Sequence, residues 1–238
     1  MPLVLAEREL YMEDRVASKA YLPPELFQFL ERLSKHNNRD WFEANKGDYE
    51  GAVRDPLLRF VEQFGIELRK ISRQLVADAR TSGGSISRIY RDLRFSKDRR
   101  PYKTEITLHF WHRDSEAGCQ APSYYLRIAP GKCLGGMWQP DSATLKKVRE
   151  TIVRQPKSWQ SVLDVGLPIE GEKVRRVPAG YPRDHRFAAD LMRKSFLMSH
   201  KFDDRQVCSP SFLKDYAVVC TRMVPFMRFL TKAVGLRW

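Results

Sequence analysis

Residues 81–85 read TSGGS, and the spacing of apolar residues differs on either side of them. Before this break the apolar positions follow a helical period. After it comes ITLHFWH (106–112), in which apolar and polar residues alternate, and then SYYLRIA (123–129). Side chains on a strand switch face at every residue, whereas those on a helix return every 3.6 residues, so this change of period constrains the fold more than any other feature. Helical segments, a block of strands and further helical segments, with no strand–helix–strand alternation, predict an α+β protein. The expectation is a single domain with a mainly antiparallel sheet and N-terminal and C-terminal helices packed around it.

Upstream of the break, Leu26, Phe29, Leu30 and Leu33 follow Pro23-Pro24 at i, i+3, i+4 and i+7 and predict a first helix. Asn37-Asn38-Arg39 ends it. Asp40 with Glu43 resembles a capping box opening a second helix, whose face carries Asn38, Trp41, Phe42, Asn45 and Tyr49, with Lys46 alongside. A third helix is expected from Pro56, with Leu57, Phe60, Val61, Phe64, Leu68, Ile71 and Leu75 inward. Downstream, Pro130-Gly131-Lys132 predicts a hairpin between 123–129 and a strand around Cys133–Trp138. Asp141 should cap a helix bearing Leu145, Val148, Ile152 and Val153, and Trp159, Val162 and Leu163 predict a short helix after Pro156. Loop and strand are expected over 166–185 and a helix near 187–198. A final helical region should open at Ser209-Pro210, with the serine as cap, and be divided by Pro225. Residues 1–22 lack sustained periodicity and read as a tail or loose helix, leaving 23–238 as the domain.

The 238 residues carry 42 Lys and Arg against 29 Asp and Glu, a net charge of +13 that favours anionic partners. No stretch approaches the length of a membrane span, and the acidic N-terminus argues against a targeting peptide. A cytoplasmic protein without a membrane partner is expected. Four cysteines (Cys119, Cys133, Cys208, Cys220) lack any C-x-x-C spacing and read as reduced, mostly buried thiols. His109 and His112 should point to opposite faces of one strand, so no metal site is expected. Nothing in the sequence calls for a cofactor.

The densest charge lies in RIYRDLRFSKDRRPYKTE (88–105), with seven cations, three acids and three aromatic rings. Cations at every third residue would scatter around a helix, and Pro101 forbids one. Read as a strand over 88–96, Ile89, Arg91, Leu93 and Phe95 share one face, and Arg88, Tyr90, Asp92 and Arg94 the other. Arg91 on the apolar face needs an anionic or hydrogen-bonding partner. Asp92, between Arg91 and Arg94, is expected to stay ionised and orient a guanidinium.

This stretch also fits R-x-x-R-D-x-R-F-x-x-[DN]-K-x-x-Y through Arg88, Arg91, Asp92, Arg94, Phe95, Asp98 and Tyr102, and so resembles the domain of unknown function 2461 family. The resemblance extends through NNRDWFEANKGDYE (37–50), GGMWQP (135–140) and PAGYPRDH (178–185), over about residues 25–230. It implies a soluble protein of a mostly bacterial family and no particular reaction. The signature's lysine is Arg99 here, which excludes Schiff-base or general-base chemistry at that position.

Several functions fit these residues. The first is capture of a phosphate-containing or other small anionic ligand by Arg88, Arg94, Lys97, Lys103 and Tyr102, completed by Asn45 and Lys46, with Arg91, Asp92 and Asp98 organising the segment. An enzyme acting on a phosphorylated or carboxylated substrate would use His185 as acid–base group. A nucleic-acid-binding protein would stack bases on Tyr90, Phe95 and Tyr102. In a purely structural reading, Arg91, Asp92, Arg94 and Asp98 form a salt-bridge network.

Overall fold

The computed structural model describes residues 20–94, 97–115, 121–129 and 131–238. The expected tail therefore lies almost wholly outside the described residues, as do Phe95, Cys119 and Pro130. A six-stranded antiparallel sheet carries the fold, in the order β1-β2-β3-β4-β6-β5. Its strands are β1 (Leu75–Val76), β2 (Ile106–His112), β3 (Ser123–Ile128), β4 (Lys132–Met137), β5 (Ile169–Glu170) and β6 (Phe196–Lys201). Helices α1 (Pro24–Lys35), α2 (Arg39–Ala44), α3 (Lys46–Tyr49) and α4 (Asp55–Ile71) precede the central strands, and a π-helical turn (Glu50–Arg54) joins α3 to α4. Helices α5 (Ser142–Arg154) and α6 (Pro156–Leu163) follow β4, and the short α7 (Ala188–Leu191) precedes β6. The chain closes with α8 (Asp204–Val207), α9 (Phe212–Arg222) and α10 (Val224–Ala233). The α+β architecture is the one the period change predicts.

Alternation on β2 buries Ile106, Leu108, Phe110 and His112 on one face. Phe64 of α4 meets Phe110 at 4.7 Å and Tyr216 of α9 at the same distance, which ties both helices to the sheet. The Tyr124 hydroxyl donates to the Cys220 carbonyl at 2.7 Å. Cys133 and Cys220 are buried free thiols with sulfurs 3.9 Å apart. On β4, a Cβ at Gly135 would lie 3.1 Å from Met223 Sδ and 3.2 Å from Met227 Sδ, so the α9–α10 corner sits directly on the strand.

Some boundaries differ from those expected. The second helix is capped by Asn38, whose side chain accepts from the Trp41 amide at 2.9 Å, rather than by Asp40. The segment near 187–198 is helical only as α7, and Phe196-Leu197-Met198 continues as β6, flanked by β4 and β5. An inner strand covered on both faces loses its polar–apolar alternation, and a short apolar run then has no period to separate strand from helix. The C-terminal region begins at Phe212, without a side-chain cap from Ser209. Its division is as expected, with Pro225 in the first turn of α10.

His109 points away from the core face of β2, stacked parallel to Tyr125 with ring centres 4.6 Å apart. Burial pushes its pKa down to about 4, and its Nε2 has no hydrogen-bond partner among the described residues. The folded state thus favours the neutral ring. Stability from this group is in place above the ordinary histidine range and is lost as pH falls from about 6.5 towards about 4. Melting temperatures measured from pH 7 down to 4.5 should show this loss, and His109→Leu should flatten it. An unchanged slope in the variant would reject the assignment.

Candidate functional site

The basic segment doubles back on itself. Arg91 N–H donates to the Pro101 carbonyl and Lys103 N–H to the Ile89 carbonyl, each at 2.8 Å, with Tyr90 paired opposite Tyr102. Ile86 bridges Leu108 on β2. Residues 88–94 form no regular strand, because only isolated bridges hold them, yet their burial alternates. Ile89, Arg91 and Leu93 turn inward, and Arg88, Tyr90, Asp92 and Arg94 outward.

Many of its charges pair locally. Asp92 accepts from Arg94 Nε at 3.0 Å and Nη2 at 2.7 Å. This fork, with further help from the Arg94 amide, pulls the Asp92 carboxyl down to about 2. Asp98 takes Arg100 at 2.7 Å and Arg91 at 3.3 Å, and hydrogen bonds from Arg100 hold it well below the ordinary carboxylate range. Arg91, with a side chain 24% exposed, also reaches the Tyr102 carbonyl at 3.4 Å. Asp92 thus pairs with Arg94, and Asp98 with Arg91 and Arg100.

The hairpin is latched to the N-terminal helices by Asn37. Its carboxamide donates to the Tyr102 carbonyl at 3.1 Å and accepts from the Tyr102 amide at 3.0 Å, as a neighbouring strand would. The Tyr102 ring stacks on Phe42 at 4.1 Å and is 1% exposed, so it serves as a packing anchor. Tyr90, its neighbour across the bridge, is 51% exposed. Asn45 is also used internally: it caps α2, and its Nδ2 donates to the Trp41 carbonyl at 2.8 Å. Lys46 lies four residues beyond Phe42, so the ring that docks α2 on the hairpin also brings Lys46 to that side.

There a cleft of about 260 Å³ opens between the helices and the hairpin. Lys46, Arg54 and Arg88 supply its cations, and Phe42, Tyr49 and Tyr90 its rings. Lys46 and Arg88 make no hydrogen bond or ion pair among the described residues. Arg54 donates to Glu50 at 2.9 Å, while its buried Nε, 3.5 Å from an Asp55 oxygen, forms no hydrogen bond within the described structure. Burial raises the Tyr49 hydroxyl's pKa, with Arg54 opposing, so the hydroxyl remains a hydrogen-bond donor at neutral pH. Thr81, Ser82 and Ser87 add hydroxyls.

The loop bearing Thr81 and Ser82 is closed by Ser85 N–H donating to the Asp78 carbonyl at 2.7 Å. At Gly84 a Cβ would come within 2.5 Å of that carbonyl, so only glycine permits this turn. On the opposite wall, Glu50 and Arg54 lie in the π-helical turn, a device often found at functional positions.

Of the residues expected in a ligand site, the cleft brings together Arg88 and Lys46. Arg94, Lys97, Lys103, Tyr102 and Asn45 are not among its described lining residues. Lys103 is half-buried, and burial first and the Arg88 charge second push its pKa down. His185 lies apart from the cleft lining: its Nδ1 accepts from the Phe187 amide at 3.1 Å at the entrance to α7. Arg54, Glu50 and the 81–83 loop were not foreseen as site residues. Their only sequence signal was the TSGGS loop.

The family model for Conserved hypothetical protein (DUF2461) matches residues 25–229. The chain belongs to this family. The match spans both walls of the cleft and every strand of the sheet. No curated protein and no solved structure matches the chain. Among the described residues no group of His, Cys, Asp and Glu is arranged to hold a metal, and no helix is long and apolar enough to cross a membrane.

Proposed function

We propose that this DUF2461 protein binds a small phosphate-containing or similarly anionic ligand in the cleft between α2–α3, the π-helical turn and residues 81–90, in the cytoplasm. One observation carries this reading. Lys46 and Arg88 come from distant segments and converge beside Arg54 without an ion pair or hydrogen bond of their own among the described residues. Arginine's planar fork suits a phosphate or carboxylate, and the hydroxyls of Thr81, Ser82 and Ser87 can donate to remaining oxygens. Tyr90 and Phe42 offer an apolar wall for the ligand's body.

Binding is favoured over catalysis by the lining itself. Its described residues include no histidine and no cysteine, and its one carboxylate, Glu50, is engaged by Arg54. A hydroxyl nucleophile would have no adjacent base.

Phosphate and a panel of phosphorylated metabolites should raise the melting temperature of the native protein. Arg88→Ala should weaken the best ligand at least about tenfold, the loss of a charge-assisted hydrogen bond being about 1.5–3 kcal/mol. It should change unliganded stability by less than about 0.5 kcal/mol, since Arg88 is exposed. Arg94→Ala should leave the response in place, because Arg94 does not line the cleft. A panel giving no shift, or equal losses from the two variants, would return the cluster to a structural role.

A further inference from the structure

A second groove, of about 320 Å³, lies where the α5–α6 junction meets α10. Val162 and Phe229 are buried beneath it, and Arg154, Arg228 and Lys232 rise around it. Ser158 and Ser161 add hydroxyls, and no Asp or Glu is among its described lining residues. None of the three cations forms an ion pair or a hydrogen bond among the described residues.

Charge at helix ends explains these cations singly but not together. Arg154 closes α5 and Lys232 lies in the last turn of α10, where carbonyl dipoles favour positive charge. Arg228 and Lys232, however, are like charges four residues apart on one helix, which costs about 0.2–0.5 kcal/mol. Lys157 stands in the first turn of α6, where a cation is disfavoured, and that turn has no acidic residue and no side-chain cap. Pro156 has no amide hydrogen and the Gln155 amide donates to the Thr151 carbonyl at 2.8 Å, which leaves the Lys157 and Ser158 amides at this end without an intrahelical acceptor. An anion seated in this concave, apolar-floored groove would relieve that repulsion.

We propose that this groove is a second anion site, independent of the first, that takes a compact polyanion with two linked phosphate groups, the chemistry shared by inorganic pyrophosphate and diphosphate esters. Three cations without an ion pair among the described residues match a ligand of several negative charges better than a carboxylate. The Lys157 and Ser158 amides and the Ser158 hydroxyl provide donors for its outer oxygens, whereas the Ser161 hydroxyl already donates to the Lys157 carbonyl at 3.2 Å.

Calorimetric titration of pyrophosphate into the full-length Arg88→Ala protein, in which binding at the first cleft is weakened, tests this directly. One-to-one binding should remain there and should weaken at least tenfold when Arg228→Ala and Lys232→Ala are added. All three cations are exposed, so circular dichroism should show an intact fold. Should that variant fail to fold, Arg154→Ala alone must still weaken pyrophosphate binding. Binding that vanishes in Arg88→Ala, or that ignores Arg154, Arg228 and Lys232, overturns the proposal. So does a short oligonucleotide that outcompetes pyrophosphate with a steep salt dependence, which would make the groove a nucleic-acid contact.

Discussion

Gly136→Ala should leave the protein without a stable sheet. Gly136 lies in β4 at a φ of 134°, a backbone conformation that side-chain-bearing residues rarely adopt. A Cβ there would fall 2.0 Å from the Phe196 carbonyl oxygen and 3.0 Å from the Phe226 ring. The first clash is with backbone, so no rotamer relieves it. β4 and β6 would have to separate where Gly136 pairs with Leu197 and Met137 with Phe196. That junction joins the β2–β3–β4 meander to the β6–β5 edge. A loss above about 4 kcal/mol is expected, the range reserved for a broken core or backbone. Urea unfolding followed by circular dichroism would measure it, and a variant within about 1 kcal/mol of the native protein would refute this account of the strand pair. Gly135→Ala should be milder, because its Cβ would meet side chains rather than backbone, the Met223 and Met227 sulfurs and the Tyr124 ring, at 3.1–3.2 Å.

Asp190→Ala should cost nearly as much, by a different route. The carboxylate is buried, accepting from Trp159 Nε1 at 2.9 Å and from Arg193 Nε at 2.8 Å. Arg193 and Asp190 side chains are 11% and 10% exposed, so neither can exchange its partner for water. Removing the carboxylate leaves a buried guanidinium uncompensated, at about 3–5 kcal/mol. Among the described residues the Arg193 guanidinium keeps its bond to the Ile169 carbonyl, and the Trp159 ring, fully buried, loses its acceptor. Asp190→Asn should recover part of the loss, since its carbonyl can still accept from Trp159. Thermal melts of the two variants would rank them, and equal stabilities for Asp190→Ala and the native protein would reject the network as a structural element.

Elements whose residues show a period were legible before any coordinates. β2 alternates strictly, and α1 and α4 hold their apolar residues on one stripe. β6 was missed because burial on both faces erases alternation, while β1 and β5, at two residues each, are too short to carry a pattern. For the site, local charge density pointed to the right neighbourhood but blurred its members. Arg88 and Arg94 are equivalent as letters and as outward positions on an extended segment. They diverge because Arg94 forks Asp92 two residues away while Arg88 faces the cleft. Arg54 was hidden within an otherwise ordinary helical stretch, because what singles it out is a wall contributed by residues 81–90. Asn37 imitates a strand partner across 65 residues of sequence, and no local pattern can encode that.

The π-helical turn between α3 and α4 gives the chain a phase as well as a shape. Each residue of an α-helix rotates the next by about 100°, and a π turn holds one residue more than an α turn. The extra residue in Glu50–Arg54 therefore sets the angle between the stripe of α4 facing the sheet and the side of α2–α3 that carries Phe42 and Lys46. Deleting a single residue there would preserve composition and helicity almost unchanged. It would force a choice between seating α4 in the core and pointing Lys46 at Arg88. Length, more than residue type, is what this short segment must conserve for the cleft to exist.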